Sequence, residues 1–348
     1  MLEIDGSFGE GGGQVLRSSL TLSILCKKPF TIKNIRANRR KPGLKAQHLT
    51  AIKAAAHVSQ ASVSGNELHS TQMSFSPGNC VPGNYFFDVQ TAGATSLVLQ
   101  TIHLPLSFAT SPSIVDIKGG THVPFSPVFE FLQTSWGNFI KTVMNEVDIS
   151  INKAGFFPKG QGHFQAKISP HTAIKPVDFM ERPSIKRITI CVVSSKLPEH
   201  VAAREIESLK HYLKKNSIPG KIDSVVVNHP SVGIGNCLLL HCELKNGLTV
   251  SFSEMGKQGR PAEKVAEILG KTFVSYWKSK SAVDEHLADQ ILLPLSFAAA
   301  PSQFTVSKIT QHLLTNAKII ETFSDTKIQI DGVENSPGMV KITPHSLV

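Results

Sequence analysis

Aromatic residues are scarce in this chain. Its 348 residues include two tryptophans and three tyrosines, and Phe, Trp and Tyr together make up 7%. A protein that grips single-stranded nucleic acid mainly by stacking bases needs more rings, so stacking is not expected as the main mode of RNA contact. Cysteine is scarce too. Cys26, Cys80, Cys191, Cys237 and Cys242 are scattered, odd in number and contain no CxxC pair. That argues against a zinc site and a disulfide framework, and leaves reduced thiols in a cytoplasmic protein as the simplest reading. No apolar run is long enough to cross a bilayer, so no membrane partner is expected. The opening Met1–Asp5 reads as a strand and lacks the basic and apolar segments of a secretion signal. Acidic residues are outnumbered, 26 against 36 Lys and Arg, for a formal charge of +10. The excess points to a polyanionic partner such as nucleic acid and says nothing about fold.

Familiar catalytic signatures are missing as well: GxSxG, HExxH and a telling Cys/His spacing. What stands at the start instead is a glycine-rich loop, with five of residues 5–13 glycine, running into helical spacing from Val15 to Leu25. It is not a Walker A loop, since no Gly-Lys-Ser/Thr follows, and its spacing fails the dinucleotide fingerprint. A loop feeding a helix N-terminus favours anions, because free N–H groups and the helix dipole point the same way. Glu10 inside it would repel a bare phosphate, yet suits a site where Mg²⁺ or Mn²⁺ bridges carboxylate and phosphate oxygens. Read alone, the loop is equally a tight strand-to-helix turn.

The length allows a large core and two domains. The hexamer Leu104-Pro105-Leu106-Ser107-Phe108-Ala109 recurs letter for letter at residues 293–298. Each copy follows a glutamine-bearing helical segment and precedes a strand, a polar loop, a second helix and a hairpin. The N-terminal region fits the same plan: helix 14–26, strand 30–35, helix 44–59 and hairpin 61–77. The expectation is an α+β protein. Residues 1–183 and 279–348 would form a large domain of three repeated helix–strand–helix–hairpin units. Residues 184–278 would form a smaller inserted α/β domain with its own strands and helices.

Two further features bear on chemistry. The loop after the first repeat strand holds Arg36, Arg39, Arg40, Lys41 and Lys45, then Gln47 and His48 in a helix. Arginine forks bind phosphate bidentately, although a solvated basic loop has the same composition. His312 stands at the start of a helix after a polar turn, in a loop equivalent to the basic one. Histidine can act as a nucleophile, although a lone histidine is more often only a satisfied polar residue.

Taken in order along the chain, several segments resemble the RNA 3′-terminal phosphate cyclase family. They are residues 5–17, residues 35–39, Lys41-Pro42-Gly43-Leu44 with Gln47-His48-Leu49, residues 92–100, Gly119-Gly120-Thr121, residues 286–290 and residues 312–316. The resemblance spans essentially the whole chain. It implies three units like the C-terminal domain of translation initiation factor three, with a small α/β insertion. It also implies ATP-dependent conversion of an RNA 3′-phosphate into a 2′,3′-cyclic phosphodiester, through histidine–AMP and RNA-adenylate intermediates. Carried across, His312 is the nucleophile and Glu10 a ligand of Mg²⁺ or Mn²⁺. Gln100, Pro127, His286, Leu287, Ala288, Asp289 and Gln290 fall on the ATP site. Arg17, Arg36, Arg39, Gln47 and His48 fall around phosphates and the RNA end.

Three positions depart from the family pattern. His286 stands where tyrosine is common, His122 where aspartate often follows Gly-Gly-Thr, and Gln161 where the 155–162 signature usually has glycine. The alternative is a non-catalytic relative that binds RNA in ribosome assembly, a branch lacking the nucleophilic histidine and much of the ATP site. His312, Glu10, Arg17, Asp289 and Gln290 oppose it. An enolpyruvyl-transferase-like enzyme shares related repeats, but the motif order does not match.

Overall fold

The computed structural model describes residues 1–144, 147–171 and 173–345. The architecture is α+β, as the sequence implies. The chain opens with β1 (Leu2–Asp5), α1 (Gln14–Cys26), β2 (Phe30–Lys33), α2 (Ala46–Ser59), β3 (Ser62–Ser64) and β4 (Met73–Ser76). Their sheet has the order β1-β2-β4-β3, with β1 and β2 parallel and the other pairs antiparallel. Next come β5 (Asn84–Asp88), α3 (Thr95–Ser107), β6 (Ser113–Gly119) and α4 (Phe129–Phe131). A π-helical turn at Leu132–Trp136 carries α4 into α5 (Gly137–Val143), followed by β7 (Val147–Lys153) and β8 (Gly162–Ile168). The order β5-β6-β8-β7 and the strand directions repeat those of the first sheet. Burial alternates along β6, as expected of a strand with one face on the core.

After the short β9 (Asp178–Phe179) the chain builds a different sheet. It contains β10 (Ile185–Ser195), α6 (Glu199–Lys215), β11 (Ile222–Asn228), β12 (Gly235–Leu244), β13 (Thr249–Met255) and α7 (Ala262–Ser279), in the order β11-β10-β12-β13. It then returns through α8 (Glu285–Leu295), β14 (Ser302–Val306), α9 (Gln311–Phe323), β15 (Lys327–Gly332) and β16 (Gly338–Thr343). These strands pair as β9-β14-β16-β15, again with one parallel pair and two antiparallel ones. The repeated hexamer closes α3 and α8 alike, its proline lying inside the last turn of each. Helical and alternating spacing locates α1, β2, β6 and β10 to β13 within a few residues. It misses β5 and β9.

The helices gather at the centre, where α1 packs against α2, α3 and α9, and α8 against α9 and the π turn. The sheet of different make, β11-β10-β12-β13 (the second sheet type, hence the second sheet), reaches this centre through a polar seam. Ser135 Oγ donates to Thr249 O at 2.6 Å, and Thr134 Oγ1 lies 3.0 Å from His241 Nδ1. Among the described residues no helix is long and apolar enough to cross a membrane.

Candidate active site

Turning from β1 into α1 requires glycine for lack of room. Gly9 takes a left-handed φ of +62°, and a Cβ there would strike Thr315 Oγ1 at 2.0 Å. A Cβ on Gly12 would lie 1.9 Å from Glu10 Oε1. The glycines therefore let the Glu10 side chain fold back over its own loop. Its Oε2 meets Arg39 Nη2 at 2.7 Å and His312 Nε2 at 3.2 Å. His312 is the second residue of α9, whose start is capped by Thr310 Oγ1 accepting the Leu313 N–H at 3.1 Å. Residues 302 positions apart in sequence thus form one pair, with Glu10 largely shielded and His312 half exposed.

The surroundings set the charges. Burial pushes His312 below its ordinary range; Glu10 opposes the shift, and Arg17, His286 and Arg39 add to it. The imidazole is therefore neutral near neutrality and keeps a lone pair on one ring nitrogen. Burial also pulls Arg17 down to about 10 against the pull of Glu10 and Asp289, so it stays a cation. Asp289 is pushed up to about 8 by burial; Arg17 opposes this, and Asp284 and Glu10 reinforce it. Its Oδ1 is shut off from solvent and has no hydrogen-bond partner among the described residues. Asp284 caps α8, accepting the N–H groups of His286 and Leu287 at 2.9 and 3.0 Å, which directs His286, Asp289 and Gln290 toward the same space.

That space is a cavity of about 440 Å³. Of the residues expected at a nucleotide, Gln100, Pro127, His286, Asp289, Gln290, His312 and Arg17 line it. Gln100 Nε2 donates to Gln290 Oε1, and Gln290 Nε2 donates to His286 O at 2.8 Å. Leu287 and Ala288 do not line it. Both are fully buried in the packing of α8, so of that segment only His286, Asp289 and Gln290 reach the cavity. His48 is also placed differently. It is buried, pulled down to about 3 by burial and by nearby Arg17, Arg36 and Lys45, and its Nδ1 accepts the Lys45 N–H. It supports the glycine loop from below, where a Cβ on Gly13 would lie 2.6 Å from its Nε2. Arg36 spends Nη1 on the carbonyls of Lys41 and Gly43, holding its own loop in shape. Gln47 accepts the Ala94 N–H at 3.0 Å, tying α2 to the start of α3.

Several lining residues lay beyond sequence reasoning. Ser18 Oγ donates to Asn316 Oδ1 at 2.6 Å, and Asn316 Nδ2 donates to Asp289 O at 2.7 Å, joining α1, α9 and α8. Asn316 stands four residues after His312, so the shared helix face was the available signal. Ser251, Phe252, Ser253 and Thr272 reach the cavity from β13 and α7, and no local signal marks them. The described residues hold no group of three or more His, Cys, Asp or Glu able to bind a metal. Glu10 Oε1 makes no hydrogen bond or ion pair among the described residues, so a Mg²⁺ completed by phosphate oxygens and water fits what is present.

A cavity lined by His312 and Arg17, with Arg39 close by on Glu10, has the charge to receive a phosphorylated ligand. The RNA 3′-terminal phosphate cyclase family model matches residues 8–330. The chain belongs to this family. The RNA 3′-terminal phosphate cyclase of Nostoc punctiforme is 37% identical over 99% of this chain and 100% of its own length. That of Koribacter versatilis is 38% identical over 96% of this chain and 93% of its own. The protein of the same name from Methanopyrus kandleri is 34% identical, over 99% of each chain. The family match takes in most of the glycine loop, α8 and His312 together.

Proposed function

We propose that this protein is an ATP-dependent cyclase that converts RNA 3′-phosphate ends into 2′,3′-cyclic phosphodiesters. The observation that carries the reading is His312, held beside Glu10 and lining a nucleotide-sized cavity walled by α1, α3, α8 and α9. A ring nitrogen of His312 attacks the α-phosphorus of ATP. The N–P bond forms, the bond to the β-phosphate oxygen breaks and pyrophosphate leaves. The RNA 3′-phosphate then takes the AMP from the histidine. Finally the neighbouring 2′-hydroxyl attacks that phosphate, closes the ring and releases AMP.

In this reading Pro127 and His286 flank the base, while Gln100, Asp289 and Gln290 address the polar groups of the nucleoside. Arg17 and Arg39 offset phosphate charge, and the RNA end arrives over the basic loop shaped by Arg36 and Gln47. His48 acts through the loop it supports. A divalent cation on Glu10 would neutralise the triphosphate and polarise its oxygens.

The same strand order and directions in three sheets support reading them as copies of one unit, like the initiation-factor-three C-terminal domain. Residues 184–278 are then an inserted domain. Arg182, at its entry, donates to Trp277 O at 2.9 Å and stacks on the Trp277 ring, pinning entry to exit. The five free thiols fit a cytoplasmic setting.

The test is incubation with ATP labelled at the α-phosphate, across a range of Mg²⁺. Acid-labile, alkali-stable AMP is expected on the wild type and not on His312→Ala. Glu10→Ala is expected to shift the Mg²⁺ dependence. A wild type that takes up no label overturns the reading, and an unchanged Mg²⁺ response removes Glu10 from the metal role.

A further inference from the structure

A second ionic cluster lies outside this machinery, at the base of the loop that carries Pro127. Thr121 O accepts the Phe129 N–H at 3.2 Å, so residues 121 and 129 close a short loop. Side chains close it a second time. His122, fully buried, places Nε2 2.7 Å from Glu130 Oε2. Donors are accounted for along this chain. Gly155 N–H donates to Thr121 Oγ1 at 2.8 Å, and Thr121 Oγ1 lies 2.9 Å from His122 Nδ1. The hydroxyl proton can therefore go to Nδ1, leaving the Nε2–H for Glu130. Burial pushes the Glu130 carboxyl up, but the facing His122 and His229 outweigh it and hold the group down at about 2. An ionised carboxylate in such a place is costly unless paired: His122 holds Oε2, while the buried Oε1 has no hydrogen bond among the described residues and only the longer approach of His229.

The cluster also reaches the second sheet. His229, between β11 and β12, lies 3.5 Å from Glu130 Oε1. The Phe156 ring stacks on His122 at 5.0 Å, and a Cβ on Gly235 would lie 2.5 Å from that ring. One turn on, Thr134 Oγ1 donates to Glu130 O at 2.6 Å and meets His241 and Ser251. Glu130 is thus where the cavity loop, the π turn and the second sheet meet.

We propose that His122 and Glu130 form a clasp of positioning residues: it holds Ser126 and Pro127 in the cavity and seats the second sheet against it, thereby setting ATP affinity. Neither residue lines the cavity or lies next to His312, so the clasp acts through the loop. The proposal rests on reading the cavity as the ATP site.

The test compares His122→Phe, which keeps a ring against Phe156 but has no donor, with His122→Gln, which restores one, and Glu130→Ala. Fold is followed by thermal unfolding, ATP binding by fluorescence of the cavity-lining Trp136, and chemistry by self-adenylylation. His122→Phe and Glu130→Ala are expected to raise the KM and Kd for ATP about tenfold with kcat within about threefold, the signature of lost binding without lost chemistry. His122→Gln is expected to return both to near wild type. AMP transfer from pre-adenylylated protein to RNA is expected to be unchanged in all three. Wild-type KM in the folded variants overturns the clasp, and so does a fall in kcat at constant KM. Loss of fold in both disruptive variants also overturns it, making the pair a structural requirement. A failed functional reading would instead show in the wild type, as absent ATP binding or label.

Discussion

Asp289 shows what burial of a carboxyl does to the pH dependence of stability. Its ordinary value is 3.8 and the folded protein raises it to about 8, so the native state holds a proton that the unfolded chain has released between those limits. Stability contributed by this group is present at low pH and is lost as pH rises through that window. Asp289→Asn removes the titration. The Tm difference, variant minus wild type, should therefore grow from pH 5 to pH 8, by about 1–2 °C for each kcal/mol relieved in a chain of 348 residues. A difference that stays flat across that range would show that the carboxyl is not held protonated. At the same scale, Glu10 and His312 were legible as chemical types, because a carboxylate in a glycine loop and a histidine at a helix start are both unusual. Their contact was not legible, since nothing local links residues so far apart.

Helices and strands followed from spacing, and the glycine loop from composition, but the reason for each glycine came from neighbours in space. Gly12 is the sharpest case. Its added Cβ would meet Glu10 Oε1, a side chain rather than a packed core, so Gly12→Ala should displace Glu10 and leave the fold intact. A misplacement of this size is expected to cost about 10²-fold in self-adenylylation, with Tm shifted by no more than about 3 °C. An alanine variant of full activity would show that the Glu10 position is not critical. Leu287 and Ala288 carry the same lesson in reverse. A motif assigns a whole segment to a ligand, while helical geometry lets only one side of it reach.

For the whole molecule, the second sheet belongs to the site as much as to its own core. Phe252 packs against Phe273 at 5.6 Å and Tyr276 at 5.4 Å, and also lines the cavity. Phe252→Ala is expected to cost about 3–5 kcal/mol in urea unfolding and to raise the KM for ATP. Leu238→Ala, in the same sheet but away from the cavity, should destabilise and leave that KM unchanged. Equal KM values for the two variants would detach the second sheet from the nucleotide. Composition, periodicity and the repeated hexamer determined the fold class and the positions of most elements, and matched motifs singled out His312 as the candidate nucleophile, because these depend on neighbours along the chain or on motif order. Only the tertiary structure decided which residues meet. The Glu10–His312 pair, the cavity shared by α1, α3, α8 and α9, and the approach of His229 to Glu130 join segments far apart in the chain. Their energies come from burial and charge at close range, and sequence separation carries no record of either.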